Sequence, residues 1–464
     1  MKQGCRAVLF GHALLSLALA GALGCGGDDD GGDSGGDAGG DAGGGDDDAG
    51  GGGNDSGSAC TGLECQQVEC SGGGTTSLSG TVTIPSGDLP LYNAVVYVPN
   101  DEVEGFEDGA GCYRCDAPLS GDPVVDTTTD TAGQFVLEDV PVGTDIPLVI
   151  QVGKWRRQVT IDTVEECVDT PVDAELTRLP RNQSEGDIPR IALTTGGLDA
   201  LECLLPKVGL DPIEFTPETE AGRINFYAAV NGTPGYLAPM NGGADFTEAT
   251  TLWDSLENLS TYDIVLLSCE GTENPSNKSM VARDALRDYA DLGGRVFASH
   301  WHNFWIEFGS DPFPTAATFN HRADLGAITS DIDTSYEKGE AMAEWLMNVG
   351  GSTTFAKLDI VDAQHTVDAV DAATRWIYLD DTSNGVPSVQ YLSFNTPMKA
   401  EEEEQCGRLV LSDIHVSSAS GDDSAPGIRY PEGCTSTDLS PQEMALVFML
   451  FDISSCIEPD VGVD

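Results

Sequence analysis

Near residue 180 the hydrophobic pattern of the chain changes period, and this change constrains the fold more than any other feature. Before it, the runs LSGTVTI, NAVVYV, GQFVLEDV, IPLVIQV and RRQVTI alternate apolar with polar residues and are broken by Gly, Pro, Asp and Asn. A period of two sets one face of each run against a core and the other in water, so residues 76–178 are expected to form an antiparallel β-sandwich without helices. After the change, continuous apolar runs alternate with segments of helical periodicity, which signals a mainly parallel sheet covered on both faces. Residues 187–458 therefore read as a second, α/β domain, and the chain as multidomain. IPRIALTT, YDIVLLSCEG, RVFASHWH, VQYLSF and GRLVLSDIHV are the expected strands. LDALECLLPKVG, NKSMVARDALRDYADLGG, GEAMAEWLMNVG and SPQEMALVFMLFDI are the expected helices, with an irregular stretch before the third. In the last helix Ser440 should be the cap and Glu443, three residues on, should complete a capping box.

The amino-terminal end points to export. Lys2 and Arg6 precede an apolar run from Ala7 to Leu23, the layout of a signal peptide over residues 1–24 and too short to span a membrane. Gly24-Cys25 resembles a bacterial lipoprotein box, which implies that Cys25 is lipidated. Residues 26–59 hold ten aspartates among Gly, Ala and Ser and no basic residue, so they lack apolar surface to fold. They are expected to be a tether, of roughly 30–35 Å end to end as a random coil. The expected location is the outer membrane or cell surface, with membrane contact through the lipid anchor only. The net charge of −55 falls only to about −45 without the tether, which makes nucleic acid and anionic headgroups poor partners.

Thirteen cysteines in an exported chain argue for disulfides. Apart from Cys5 and Cys25, six precede residue 170, three of them in a Cys-rich segment over 60–75: Cys60, Cys65, Cys70, Cys112, Cys115 and Cys167. This group can pair within itself, with Cys112 and Cys115 expected in a structural bridge. Five follow residue 200, namely Cys203, Cys269, Cys406, Cys434 and Cys456, so one thiol is left over unless a bridge joins the domains. For Cys269 the alternatives are a bridge to Cys203 or a free thiol. Lys154-Trp155-Arg156-Arg157 is the one basic island in an acidic chain. It suits docking to the acidic second domain, capture of an anionic glycan, or an exposed hairpin tip.

Three expected strands of the second domain end in reactive residues: Ser268-Cys269-Glu270, His300-Trp301-His302 and Asp413-Ile414-His415. In open sheets of this kind ligands bind beyond the carboxyl ends of strands. Three neutral imidazoles, His300, His302 and His415, suit a divalent metal such as zinc with a water in the open position, and Glu270 suits the general base for that water. A metal-free pocket for carbohydrate or a related small polar ligand is the second reading, with Trp301 as a stacking face and His302, Asp413 and the Gly196-Gly197 turn as polar contacts. Satisfied structural histidines are the third. Trp301, Trp305 and Phe308 have the spacing of a buried helical stripe, so core packing is expected for at least two of them. A triad of Cys269 or Ser268 with His300 or His415 and Asp413 lacks the usual elbow motif.

The order SGTVT, PLYNAVVYVPN, TDTAGQFVLEDVPVG and a final strand pair resembles the carboxypeptidase regulatory-like (transthyretin-like) domain, implying an accessory or adhesive module. The blocks YDIVLLSCEG, YADLGGRVFASHWH and GRLVLSDIHV resemble the class I glutamine amidotransferase-like superfamily, and within it the ThuA-like proteins. That resemblance implies a flavodoxin-like, doubly wound sheet. It also implies a histidine after the GG strand, where amidotransferases carry their nucleophilic cysteine, and another after the late strand; His300 and His415 match these places. With no cysteine at the first place, glutamine amidotransferase chemistry is not expected. The function so implied is a surface lipoprotein that binds or processes carbohydrate; a non-catalytic scaffold and a metal-dependent hydrolase are the alternatives.

Overall fold

The computed structural model describes residues 60–383, 385–415 and 428–458. The expected signal peptide, Cys25 and the tether lie outside them. The first part of the described chain carries β1 (Ser77–Thr81), β2 (Val95–Pro99), β3 (Pro123–Thr128), β4 (Gln134–Glu138), β5 (Gly143–Val152), β6 (Trp155–Val164) and β7 (Asp169–Pro171). They form two sheets, β4-β1-β7 and β3-β2-β5-β6, antiparallel except where β1 meets β7. β4 shows why the alternating pattern folds this way: Phe135 and Leu137 are buried while Gln134, Val136 and Glu138 face out. One turn of helix, α1 (Ala174–Thr177), closes this part where no helix was expected; Asp173 caps it by accepting from the Glu175 N–H.

The second part holds β8 (Ile191–Thr195), β9 (Ile224–Ala228), β10 (Thr247–Glu248), β11 (Ile264–Leu267), β12 (Arg295–Ser299), β13 (Ala317–Phe319), β14 (Gly326–Ile332), β15 (Lys357–Ala363), β16 (Val367–Val370), β17 (Thr374–Leu379), β18 (Ser388–Thr396) and β19 (Gly407–Ser412). Ten of these make one sheet, ordered β10-β9-β8-β11-β12-β19-β18-β17-β14-β15. Pairing is parallel from β10 to β19 and antiparallel from β19 to β15, so the sheet is mixed rather than mainly parallel. The antiparallel extension curls back, because Ala363 at the end of β15 bridges Ile414 just beyond β19.

The helices are α2 (Leu204–Val208), α3 (Ala249–Trp253), α4 (Leu256–Leu259), α5 (Met280–Asp291), α6 (Phe304–Glu307), α7 (Glu337–Asn348) and α8 (Pro441–Ser454). Successive residues of a strand point to opposite faces, and here both faces are covered. Val265 and Leu267 pack with Ala282, Leu286 and Tyr289 of α5, while Ile264 and Leu266 belong to the cluster that holds α7 and α8. α8 starts on the expected box, with the Glu443 N–H donating to Ser440 Oγ and the Ser440 N–H donating to Glu443 Oε2.

That second cluster also contains Leu78, Val96, Ile150 and Trp155 of the first part, so the two sets of sheets share one core. From Cys60 on the described residues belong to one compact unit. Trp155, fully buried, packs against Phe451 of α8 at 5.6 Å between ring centroids, and Lys154 pairs with Asp263 before β11. Arg156 reaches Asp187, where the second part begins, while Arg157 stays within the first. Arg156 bonds Asp187 and the Glu104 carbonyl, and Arg157 bonds the carbonyls of Glu175 and Arg178. The chains approach so closely that at Gly153 (φ +56°) a Cβ would stand 1.7 Å from the Ser454 carbonyl oxygen.

The cysteines depart from expectation in the same region. Cys60 pairs with Cys65 and Cys70 with Cys167, but Cys112 pairs with Cys406 and Cys115 with Cys456, across 294 and 341 residues. Cys203 pairs with Cys434, not Cys269, which is free and buried. Two bridges between the parts therefore leave the odd thiol at Cys269.

Candidate functional site

β11, β12 and β19 are neighbours in parallel register, Leu267 opposite Ala298 and Ser299 opposite Ser412, so their carboxyl ends lie side by side. The residues that follow are thereby brought together. Cys269 Sγ lies 3.7 Å from His300 Nδ1, and His300 Nδ1 lies 2.9 Å from His415 Nε2. The three atoms are all within 4.8 Å of one another. His300 enters from β12 with φ +37°, a left-handed turn rarely adopted by a residue with a Cβ, and strain of this kind concentrates at functional sites.

The other nitrogen of His415, Nδ1, donates to Asp362 Oδ2 at 2.8 Å. Asp362 stands next to Ala363 at the returning end of β15, so the curl of the antiparallel extension delivers it. Cys269, His300 and His415 are nearly sealed at 0, 3 and 5% exposure, whereas the Asp362 side chain is 40% exposed and marks the solvent side. Asp199, in the turn after β8, accepts from Ser299 Oγ at 2.7 Å and adds its charge to the same pocket.

Burial, then the neighbouring His415 and His321, push His300 down to about 2. Burial also pulls His415 down, but its bonds to Asp362 and Cys269 and the nearby acidic charge outweigh that and lift it to about 10. These shifts favour a neutral His300 beside a charged His415, whose Nε2–H then donates to His300 Nδ1.

Glu270, His302 and Asp413 are not part of this group. The Glu270 carboxylate is buried in an ion pair with Lys278, and its other oxygen accepts from the Val230 N–H, so it is already spent as a base. Both ring nitrogens of His302 are engaged: Nδ1 accepts from the Trp305 indole at 2.8 Å, so Nε2 donates to the Ser268 carbonyl at 2.9 Å. Burial, and then Lys278, hold it well below the ordinary histidine range, and no nitrogen is left for a metal. Asp413 is buried and takes both the N–H and the hydroxyl of Thr366, which fixes that loop rather than a ligand.

The Gly196-Gly197 turn lies against the end of β11. A Cβ on Gly196 would stand 2.3 Å from the Cys269 carbonyl oxygen, so the glycines serve close backbone approach. Trp301 is half-buried with His321 stacked on its ring at 5.4 Å, which covers a face that a sugar would need. Of the supposed helical stripe only Trp305 is buried; Phe308 is 44% exposed, because the helix is a single turn. Asp362 and Asp199 are the site residues that sequence reasoning missed. Asp199 lies just past the Gly196-Gly197 turn after β8, where the glycines drew the reading, and only the returning β15 reveals Asp362.

No family model matches the chain, and no curated protein matches it. Among solved structures it is similar to a protein from Bacteroides uniformis described as ThuA-like, at 10% identity over 56% of this chain and 90% of that one, with a TM-score of 0.29. A cytoplasmic protein of Salmonella typhimurium is similar at 13% identity over 57% and 99%, with a TM-score of 0.29. A type II cohesin–X-dockerin complex from Acetivibrio cellulolyticus is similar at 18% identity over 32% and 78%, with a TM-score of 0.16. None of these likenesses assigns the chain to a family.

Proposed function

We propose that Cys269, His300 and His415 hold one divalent ion of the zinc type, and that the chain is a metal-dependent hydrolase acting outside the cytoplasm on a small polar ligand, carbohydrate being the expected class. The observation that carries this reading is the convergence of a thiol and two imidazole nitrogens from three adjacent strand ends, with Asp362 holding the far nitrogen of His415. Bond lengths of about 2.0–2.1 Å to nitrogen and 2.3 Å to sulfur imply tetrahedral edges of about 3.4 Å between nitrogens and 3.6 Å between nitrogen and sulfur. The observed 2.9 and 3.7 Å require the two rings to part slightly and His415 Nε2 to give up the proton it donates, with the three ligand atoms already within 4.8 Å of one another. A carboxylate behind a ligating histidine fixes its tautomer and raises its basicity. Three protein ligands leave a position for water, which such an ion acidifies into a nucleophile at neutral pH. The Asp362 carboxylate at the solvent side is then the group that meets ligand hydroxyls.

The same reading takes residues 1–59 as signal, lipid-anchored Cys25 and tether, and the first two sheets as a regulatory-like module that positions a ThuA-like, flavodoxin-like domain. Five disulfides support it, since such bridges persist in oxidising compartments. Elemental analysis of the tag-free chain tests the centre: zinc near one per chain, lost in Cys269→Ala, His300→Ala and His415→Ala, is the expected result. A second reading rests on the order Asp362, His415, Cys269, which is that of an orienting acid, a base and a thiol nucleophile. Metal-free protein whose Cys269 reacts rapidly with iodoacetamide would transfer the conclusion to that reading.

A further inference from the structure

A second group of ligating side chains sits beside Trp301, whose ring lies 4.7 Å from that of His300 and stacks on that of His321 at 5.4 Å. His321 Nε2 lies 2.7 Å from Glu307 Oε2 and 3.7 Å from Glu273 Oε1. The three come from the loop after β11, the end of α6 and the segment after β13. His321 is held in place by its neighbours, because the Asn320 and Arg322 N–H groups donate to the carbonyls of Thr366 and His365.

An ordinary ion pair does not account for the fourth group here. Asn303 is fully buried, its amide nitrogen stands 3.4 Å from His321 Nε2, and its Oδ1 has no partner. Nε2 must carry a proton to bond the Glu307 carboxylate, so the Asn303 NH2 faces a second donor. A half-turn of the amide brings Oδ1 to the position now held by Nδ2. His321 Nε2 then has an oxygen of Glu307, of Asn303 and of Glu273 within 3.7 Å, and an ion that displaces its proton meets a nitrogen with three oxygens around it. Bond lengths of about 2.0–2.2 Å place octahedral neighbours about 3 Å apart, which the observed 2.7, 3.4 and 3.7 Å bracket.

We propose that Glu273, Asn303, Glu307 and His321 form a second cation site, for a divalent first-row ion of the manganese type. One nitrogen with three oxygens suits such an ion better than calcium, and the part-exposed carboxylates leave room for waters. The thiol of Cys269 makes the first group a soft site, so manganese and zinc report the two separately.

The test is manganese binding by the full chain after chelation, followed by electron paramagnetic resonance and calorimetry. The expected result is one manganese per chain, weakened by about tenfold or more in Glu307→Gln and in Glu273→Gln, since even groups behind a metal ligand contribute about that much. Cys269→Ala should keep the manganese while losing zinc, so failure of either site shows independently of the other. Should one variant not fold, judged by circular dichroism, the other still decides. No manganese bound by the wild-type chain, or binding as tight as the wild type's in both glutamine variants, would overturn the proposal; the second outcome would place the ion elsewhere, as on the aspartate-rich segment.

Discussion

His415 Nδ1 meets Asp362 Oδ2 at 2.8 Å although 53 positions separate them in the chain, and this contact aims Nε2 at His300 and Cys269. Asp362→Asn keeps the shape of the side chain and removes its charge. Zinc affinity should fall about 10- to 100-fold, as for other outer carboxylates, with the melting temperature nearly unchanged. Competition with a chromophoric chelator measures this; unaltered affinity would show that the carboxylate does not support the centre.

His302, by contrast, should matter for stability and not for metal. In His302→Leu the Trp305 indole N–H and the Ser268 carbonyl lose their buried partner, at about 1–3 kcal/mol each. Denaturant unfolding should show this loss while zinc content stays near that of the wild type.

Glu202 sets a pH dependence. Burial lifts its carboxyl to about 7, against the bond from Thr233 Oγ1 that favours the charged form. A carboxyl raised on folding holds its proton in the folded state after the unfolded chain has released it. Its contribution is therefore complete below about pH 4.5 and is lost as pH rises through about 7. The loss is of the order of 3 kcal/mol. Glu202→Gln should flatten unfolding free energy against pH between those limits; an unchanged slope would assign it to other groups.

The Cys115–Cys456 bridge closes a very long loop, across 341 residues. Replacing both cysteines by alanine should cost about 2–5 kcal/mol, read as a shift in the denaturant midpoint. A shift below experimental error would mean that the Cys112–Cys406 bridge and the shared core, Trp155 on Phe451 included, already keep the parts together.

The parallel half of the large sheet was legible because each buried strand is a continuous apolar run, and the residue after it stands at the sheet's carboxyl edge. Cys269, His300 and His415 could be named from that alone. Their neighbours could not, since adjacent residues diverge: Cys269 turns to His300, while Glu270 turns to Lys278. Of the antiparallel half only VQYLSF, which forms β18, was legible. KLDIVDA does alternate, Leu358 and Ile360 in and Asp359 and Val361 out, yet nothing local says that its end returns to Ile414. Cysteine pairing was hidden for the same reason, as spacing along the chain says nothing about which parts share a core. Basic character pointed to docking, and buried area decided which residues dock: Trp155 and Lys154 reach α8 and Asp263, Arg157 does not.

Cys112 and Cys115, three positions apart, grip Cys406 and Cys456 like two rivets through one plate. One rivet permits swivelling; two forbid it. A protease that cut the connection between residues 179 and 186 would release nothing: the halves would migrate as one species until a reductant parted them. Any opening that admits a ligand to Cys269 must accordingly come from loops at the sheet's edge, with the two halves locked in a single frame.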